Sequence, residues 1–202
     1  MENVVSKQNT TSGEIEQCSS GQHEPVVGLR CAYADPPYLG CGKFYVEHHP
    51  NALDWDKLET HQKLIEQLTR KYPDGWAYSL SSVSLKKILP LCPDDVRVGA
   101  WVKPFCSFKP NVNPAYAWEP VIFFGGRRRT RKQLTLRDWV SANITLKKGL
   151  TGAKPEPFCK WLFEMLNLQA NDKLVDLYPG TRAVGVAWKK YRKSIRNDNP
   201  TD

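Results

Sequence analysis

The chain has 202 residues, of which 41% are hydrophobic and 25% charged, and its formal net charge is +8. The apolar fraction is enough for one substantial core, but no apolar run approaches the roughly 18 residues of a membrane-spanning helix. The first residues lack the basic and then apolar pattern of a signal peptide. The sequence therefore argues against a membrane protein and predicts a cytoplasmic protein with one domain.

Residues 1–24 are rich in small polar side chains and poor in large apolar ones. Such a segment cannot offset the entropy cost of ordering, so we expect a disordered tail. The folded domain is predicted over residues 25–196, with a short tail at 197–202. The six cysteines include no Cys-x-x-Cys pair, and adjacent histidines such as His48 and His49 rarely converge on one ion. We expect reduced thiols and no metal site.

The first predicted element is a buried strand within residues 25–33, which is followed at once by Ala34-Asp35-Pro36-Pro37-Tyr38. Two consecutive prolines extend neither a sheet ladder nor a helix, so the strand is expected to stop at Asp35. Its carboxylate and the nearby carbonyls would form a rigid acceptor cluster beside an aromatic ring. Such a cluster suits a planar heterocycle with an exocyclic amine, whose two N–H groups it can accept. The alternative is a simple strand-ending turn.

Helical and strand patterns alternate after this stretch. Apolar spacing predicts a helix over Trp55–Lys71, with Asp56 and Glu59 approximating a capping box. The following predicted elements are a strand at 76–80, a short helix at 85–89, and strands at 96–102 and 118–124. This alternation predicts an α/β fold with a mostly parallel sheet that is covered by helices on both faces.

A basic segment, residues 125–148, follows the last of these strands. From Arg127 to Lys148 it contains eight basic residues and one acid, which account for +7 of the chain's +8. It leaves a strand end through Gly125-Gly126, and in a parallel sheet this places it near Asp35. We therefore expect its first basic residues to bind nucleic-acid phosphates: Arg127, Arg128, Arg129, Arg131 and Lys132. The alternative is an ordinary solvated face.

The last third contains a second candidate binding turn. A helix is predicted at 158–168, after Lys154-Pro155-Glu156, and a strand at 173–178 leads through a Pro179-Gly180 turn into a basic helix at 184–196. A strand, a glycine turn and a helix amino terminus commonly hold the charged end of a cofactor.

Three of these stretches resemble motifs of the S-adenosylmethionine-dependent amino-methyltransferases. Asp35-Pro36-Pro37-Tyr38 is similar to motif IV, Lys154-Pro155-Glu156 to motif X, and Val175-Asp176-Leu177-Tyr178-Pro179-Gly180-Thr181 to motif I. The start of the strand at Trp118-Glu119-Pro120 is similar to the region leading to motif VIII. The order IV, VIII, X, I is the permuted order of the β-class DNA enzymes and of the related messenger-RNA adenosine methyltransferases.

The resemblance implies a Rossmann-like methyltransferase fold and S-adenosylmethionine as cofactor. It implies that the catalytic residues are Asp35, Pro36, Pro37 and Tyr38, and that the cofactor contacts Ala34, Asp35, Lys154, Asp176, Tyr178, Gly180 and Thr181. The implied reaction is methylation of a base amine in nucleic acid, with adenine N6 favoured over cytosine N4 and DNA over RNA, by a chain that can form homo- or hetero-oligomers.

Two features depart from the family pattern. Arg182 stands where motif I usually has a second glycine, and a large cation there could either block the cofactor or contact it. The strand whose final acid holds the cofactor ribose in the family has no counterpart after the last predicted helix, so ribose recognition is expected from elsewhere, such as a partner chain. The alternative function is a catalytically inactive, nucleic-acid-binding protein or partner subunit with the same fold.

Overall fold

The computed structural model describes residues 27–47, 50–105, 111–145 and 153–197. The predicted tail at 1–24, the His48-His49 pair and the Lys147-Lys148 end of the basic segment lie outside these residues. So does all but the first residue of the predicted tail at 197–202.

The described residues contain a six-stranded sheet and four α-helices. The strands are β1 (Arg30–Ala34), β2 (Gly75–Ser79), β3 (Arg97–Val102), β4 (Trp118–Gly125), β5 (Trp139–Ser141) and β6 (Lys173–Asp176), in the spatial order β5-β3-β4-β2-β1-β6. The helices are α1 (Leu58–Lys71), α2 (Leu85–Ile88), α3 (Glu156–Met165) and α4 (Ala183–Asn197). Short 3-10 turns lie at Gly42–Tyr45, Ala52–Asp56, Ser82–Ser84 and Leu89–Leu91. Every predicted strand and helix is present, and only β5 was not predicted.

The sheet is mostly parallel, as predicted. β1 pairs in parallel with β2 and β6, and β3 pairs in parallel with β5. β4 is the exception, because it runs antiparallel to both of its neighbours, β2 and β3. A parallel return from β3 would need a crossover element, usually a helix, and the described residues between β3 and β4, 103–105 and 111–117, contain none.

Helices cover both faces of the sheet, which confirms the predicted α/β class. Along β1 the side chains alternate, so Cys31 and Tyr33 pack with α3 and α4, while Ala32 and Ala34 pack with α1 and α2. Tyr33 is only 1% exposed and contacts Phe158 of α3 edge to face. The strand is therefore buried on both sides, which explains its continuous apolar sequence.

Two local predictions were wrong. The capping box at α1 does not form: no side chain caps the helix, and Asp56 accepts the backbone N–H of Gly42 at 2.8 Å instead. The basic segment does not leave the sheet at the Asp35 edge. Because β4 is antiparallel, its last residue, Gly125, pairs with Gly75 at the start of β2, on the opposite edge of the sheet.

Glycines allow close backbone packing at this opposite edge. Gly75, Gly125 and Gly126 all have positive φ angles, of 156°, 61° and 84°. A Cβ atom on Gly126 would lie 2.8 Å from the Leu166 carbonyl oxygen, and one on Gly75 would lie 2.5 Å from the Gly126 nitrogen. The start of β2, the end of β4 and the end of α3 are thus joined where no other residue fits without strain.

Candidate active site

Asp35 lies where β1 ends, as the two prolines predict. The strand stops at Ala34, the Asp35 side chain is partly exposed, and Pro36 is buried. The carboxylate forms an ion pair with Lys154, with 2.7 Å between Nζ and Oδ2. Lys154 belongs to the segment that leads into α3, and only 7% of its side chain is exposed. The structure therefore brings the Asp35-Pro36-Pro37-Tyr38 stretch together with Lys154, although they are more than a hundred residues apart in the sequence.

Glu119 is a second carboxylate at this site, and the reversed direction of β4 brings it there. The Tyr38 hydroxyl donates to Glu119 Oε2 at 2.9 Å and lies 3.2 Å from Asp35 Oδ1. Glu119 also forms an ion pair with Lys103 and lies 3.8 Å from Lys154 Nζ. Since Tyr38 has one hydroxyl proton, it can donate fully to only one carboxylate at a time.

The charges of this cluster balance, because two lysines, Lys103 and Lys154, face two carboxylates, Asp35 and Glu119. Burial alone raises the pKa of Glu119, but Lys154 and Lys103 outweigh it and lower that pKa below its usual value. Burial alone lowers the pKa of Lys154, but Asp35 and Glu119 reverse the effect and raise it. Both groups are thus charged at neutral pH, and the cluster is a compensated set of partly buried ions.

Tyr38 remains a neutral hydroxyl under ordinary conditions. Burial, reinforced by the nearby Asp35 and Glu119, raises the pKa of Tyr38 well above its usual value. Its ring lies under the Lys154 ammonium, whose Nζ is 5.9 Å from the ring centroid. The partly exposed Tyr45 lies close enough to Asp35 for burial and that carboxylate to raise its pKa also. Aromatic rings therefore border the acceptor cluster, as the sequence indicated.

The second candidate turn lies beside the first. β6 pairs with β1 so that Asp176 is opposite Tyr33, and the Leu177 N–H donates to the Tyr33 carbonyl at 2.9 Å. Burial, with a smaller contribution from the Asp35 charge, raises the pKa of Asp176 to about 6. The Tyr178 N–H donates to Asp176 Oδ1 at 3.3 Å. A partly buried acid with a raised pKa therefore lies next to the Asp35 cluster.

The turn after β6 leaves open space at its glycine. Gly180 has a φ of 39°, and the only non-neighbouring atom near a Cβ placed there is the Tyr178 carbonyl oxygen at 3.9 Å. Arg182 has a φ of 60°, so it adopts the left-handed conformation that a glycine would take at that position. Its side chain is exposed, and α4 begins at the next residue. The turn therefore holds a left-handed residue at Arg182 as well as at Gly180.

These features fit the amino-acid end of S-adenosylmethionine. Free N–H groups at the start of α4 suit a carboxylate, and the partly buried Asp176 suits an ammonium group. Thr181 is half-buried in the same turn. The Ala34 side chain is fully buried in the core with α1 and α2, so any contact from Ala34 to a cofactor comes from its backbone.

The basic segment is partly structural. Arg127 forms an ion pair with the fully buried Asp172 at 2.8 Å, and Arg129 donates to the carbonyls of Leu134 at 3.2 Å and Glu164 at 2.9 Å. The remaining residues predicted to bind phosphate are exposed, namely Arg128, Arg131 and Lys132. They lie at the edge opposite Asp35, so the structure does not bring them to the acceptor cluster.

The sequence interpretation missed Glu119 and Lys103 as site residues. The available signal was an acid at the start of an apolar strand, Trp118-Glu119-Pro120, but its meaning depends on the direction of that strand. In a parallel strand Glu119 would lie at the opposite edge, away from Asp35.

The described residues provide neither a metal site nor a membrane-spanning helix. In that part of the chain, no group of three or more His, Cys, Asp or Glu side chains is arranged to hold a metal ion. Within the same ranges, no helix has the length and apolar character to cross a membrane.

Comparison with known proteins finds structural likenesses alone. No protein-family model and no curated protein matches the sequence. The crystal structure of the M1.HpyAVI–SAM complex is similar with a TM-score of 0.49 and 15% identity, over 82% of this chain and 79% of that one. TTHA0409 from Thermus thermophilus, described as a DNA modification methylase, is similar with a TM-score of 0.41 and 12% identity, over 86% and 90%. Both TM-scores are below 0.5, so function has to be inferred from the site itself.

Proposed function

We propose that the chain is an S-adenosylmethionine-dependent methyltransferase that acts on an exocyclic base amine in nucleic acid. The observation that supports this most is the pairing of β1 with β6. It sets the Asp35-Pro36-Pro37-Tyr38 turn directly beside Asp176 and the Gly180 turn. An acceptor cluster for an amine and a cradle for a charged amino-acid group therefore share one edge of the sheet.

The cofactor would lie across the ends of β1 and β6. Asp176 would accept from its ammonium group, and the backbone at Gly180, Thr181 and the start of α4 would hold its carboxylate. The motif resemblance also assigns Lys154 to that carboxylate, but its ammonium is held by Asp35 and faces Glu119, so Asp176 and the turn would hold most of the amino-acid end. When bound, the cofactor supplies a methyl group on a sulfonium centre, which is electrophilic without further activation.

Asp35 would orient the nucleophile. A base amine is a poor nucleophile because its lone pair is delocalised into the ring. The Asp35 carboxylate and the Pro36 carbonyl would accept its two hydrogens and so favour a tetrahedral nitrogen. The Asp35 oxygen that now accepts from Lys154 would then be shared, and Lys154 would move towards Glu119, which is already 3.8 Å away. The charge balance of the cluster is kept in both arrangements.

Tyr38 would hold the plane of the base. Glu119 fixes the Tyr38 hydroxyl at 2.9 Å, which leaves the ring available for stacking. Acceptors at Asp35 and Pro36 fit an amine on either base; the resemblance of the motif favours adenine N6 over cytosine N4, and DNA over RNA. After methyl transfer, the amine proton would be lost to solvent or by way of Asp35.

The decisive experiment measures binding and transfer separately. Calorimetric titration of S-adenosylmethionine into the full chain tests the cofactor site. Transfer of isotope-labelled methyl groups to adenine- or cytosine-containing oligonucleotides tests the reaction, with Asp35→Asn as the inactive variant. Asp138→Asn is the matched control because Asp138 is an exposed acid that makes no ion pair with the cluster residues. We expect the first variant to lose transfer by roughly 10²- to 10³-fold and the control to keep it. Absence of cofactor binding, with and without oligonucleotide, would refute the proposal.

A further inference from the structure

A second groove opens on the same edge of the sheet as Asp35. It is formed by residues within 111–118, which lead into β4, and by Ser82 in the turn after β2, and it has a volume of about 360 Å³. The side chains that matter in it are Ser82, Asn111, Asn113, Tyr116 and Trp118. The volume falls within the roughly 300–1,000 Å³ that is usual for small-molecule sites.

The groove and the charged cluster lie on opposite faces of the sheet at the same edge. Trp118 and Glu119 are neighbours at the start of β4, and side chains alternate along a strand. Glu119 therefore points to the face of α3 and α4, where the cluster is, while Trp118 points to the face of α1 and α2. One strand, β2, separates β4 from β1, so Asp35 lies roughly 10 Å across the edge, or two strand spacings.

The lining suits a neutral, planar, polar-edged ligand. Tyr116 is 51% exposed and Trp118 is 40% exposed, and in the described part of the chain neither ring packs against another ring. Asn111 and Asn113 have side-chain amides without a hydrogen-bond partner among the described residues, and each offers both a donor and an acceptor. Among the described residues, none of the side chains that line the groove is charged. Amides beside exposed rings suit a planar ligand that stacks and hydrogen-bonds.

We propose that this groove binds a second nucleobase, unstacked from the same polynucleotide strand as the base at Asp35. The inference rests on the proposed function and deepens it, because it specifies the substrate as an unpaired or locally opened strand. In a duplex the base faces are stacked and the Watson–Crick edges are paired, so neither Trp118 nor the two asparagines could reach them. Stacking on exposed aromatic rings is the usual way to hold single strands.

The test is direct binding, with no methyl donor present. Fluorescence anisotropy of labelled oligonucleotides measures affinity of the full chain for a single strand and for the same sequence as a duplex, with DNA and RNA arms that identify the sugar. We expect the wild type to prefer the single strand. Trp118→Ala combined with Tyr116→Ala should weaken single-strand binding by roughly ten- to a hundredfold. Phe44→Ala is the matched control, since Phe44 is a 65% exposed ring outside the groove.

A second variant tests hydrogen bonding without removing a ring. Asn111→Asp keeps the shape of the side chain and tolerates the positive φ of 60° at this position, but it replaces donors with acceptors. We expect it to change the order of preference among homopolymer strands. A merely structural loop would show no such change. Thermal melting of each variant confirms that the chain is folded.

Three outcomes would overturn the proposal: equal affinity of the groove double variant and wild type for single strands, an unchanged base preference in Asn111→Asp, or tighter binding of duplex than of single strand by the wild type. Failure of the proposed function is recognised separately. If no methyl transfer occurs but the groove variants lose single-strand binding, the groove binds a base and the proposed reaction is wrong. If transfer occurs and the groove variants bind single strands normally, the proposed reaction is supported and the groove proposal is wrong.

Discussion

The two edges of the sheet both concentrate charge, but they use it in opposite ways. At the Asp35 edge, two lysines and two carboxylates compensate one another in a partly buried cluster that is open to a ligand. At the opposite edge, Asp172 is fully buried and satisfied within the chain. It accepts the N–H groups of Leu29 at 2.7 Å and Gln169 at 2.6 Å as well as the Arg127 guanidinium. The first arrangement leaves acceptors for chemistry, whereas the second uses them all for folding.

Asp172→Ala should produce the largest effect on stability. Removing the fully buried carboxylate leaves two backbone N–H groups and the Arg127 cation without their acceptor, so the free energy of unfolding should fall by roughly 3–5 kcal/mol. Urea denaturation measures the loss. Asp138→Ala, the removal of an exposed acid, should change stability by no more than about 0.5 kcal/mol. Equal effects of the two substitutions would show that the buried Asp172 contributes no more to folding than an exposed acid.

Glu119→Gln should act on the reaction more than on stability. The neutral amide can still accept the Tyr38 hydroxyl, but it no longer holds the charge of Lys103 or attracts Lys154 away from Asp35. Loss of a charge-assisted interaction predicts a rate of methyl transfer lower by roughly tenfold. Steady-state kinetics should place the change in kcat. If the KM for cofactor rises with kcat unchanged, Glu119 acts in binding and not in positioning.

Asp176 predicts a pH dependence of stability at the catalytic edge. The pKa in the folded chain is about 6, above the ordinary value of 3.8. Between these values the folded state binds more protons than the unfolded state, so stability falls as pH rises from about 4 to 6. Asp176→Asn should remove this dependence and stabilise the free chain above pH 6. Urea denaturation at pH 4.5 and 7.5 measures it, and an unchanged difference between the two pH values would contradict the assignment.

The exposed basic residues should give the smallest effect on folding. Replacement of Arg128, Arg131 and Lys132 by alanine is expected to change stability by no more than about 0.5 kcal/mol per site, because they are exposed. If they bind phosphates, the slope of log affinity against log salt should fall by roughly 0.9 for each phosphate that is no longer neutralised. An unchanged slope in a salt titration with duplex DNA would show that the opposite edge does not touch nucleic acid.

The sequence predicted the elements well because their signals are local. The apolar run before Asp35 and the two prolines after it fix β1 and its end, and the helical spacing of α1, α3 and α4 is strong. The site was predicted only in part, because its assembly depends on strand direction. Because β4 is antiparallel to its neighbours, Glu119 lies near Asp35 and the basic segment begins at the opposite edge. Nothing within residues 118–125 indicates the direction of the strand. The described residues that precede β4, 103–105 and 111–117, contain no crossover helix, which agrees with an antiparallel return.

The same dependence on tertiary contacts explains the failed cap at α1. Asp56 has a suitable identity and spacing to Glu59, yet its carboxylate accepts the Gly42 N–H instead. Arg182 is the converse case. By sequence it departs from the glycine of the motif, but its backbone takes the left-handed conformation all the same. Residue identity alone therefore predicted a cap at Asp56 that does not form, and it did not predict the left-handed backbone at Arg182.

The glycine junction at Gly75, Gly125 and Gly126 has a consequence for mutational surveys of this chain. Each position has a positive φ and no room for a Cβ atom, so nearly every substitution there should be selected against. A library scored by cell-based activity would rank these three positions with Asp35, although they lie at the far edge of the sheet. Scoring the same library for protein abundance would separate them, since glycine variants should deplete the protein and Asp35 variants should not. Intolerance to change in this chain thus has two distinct sources, and only one of them marks the site.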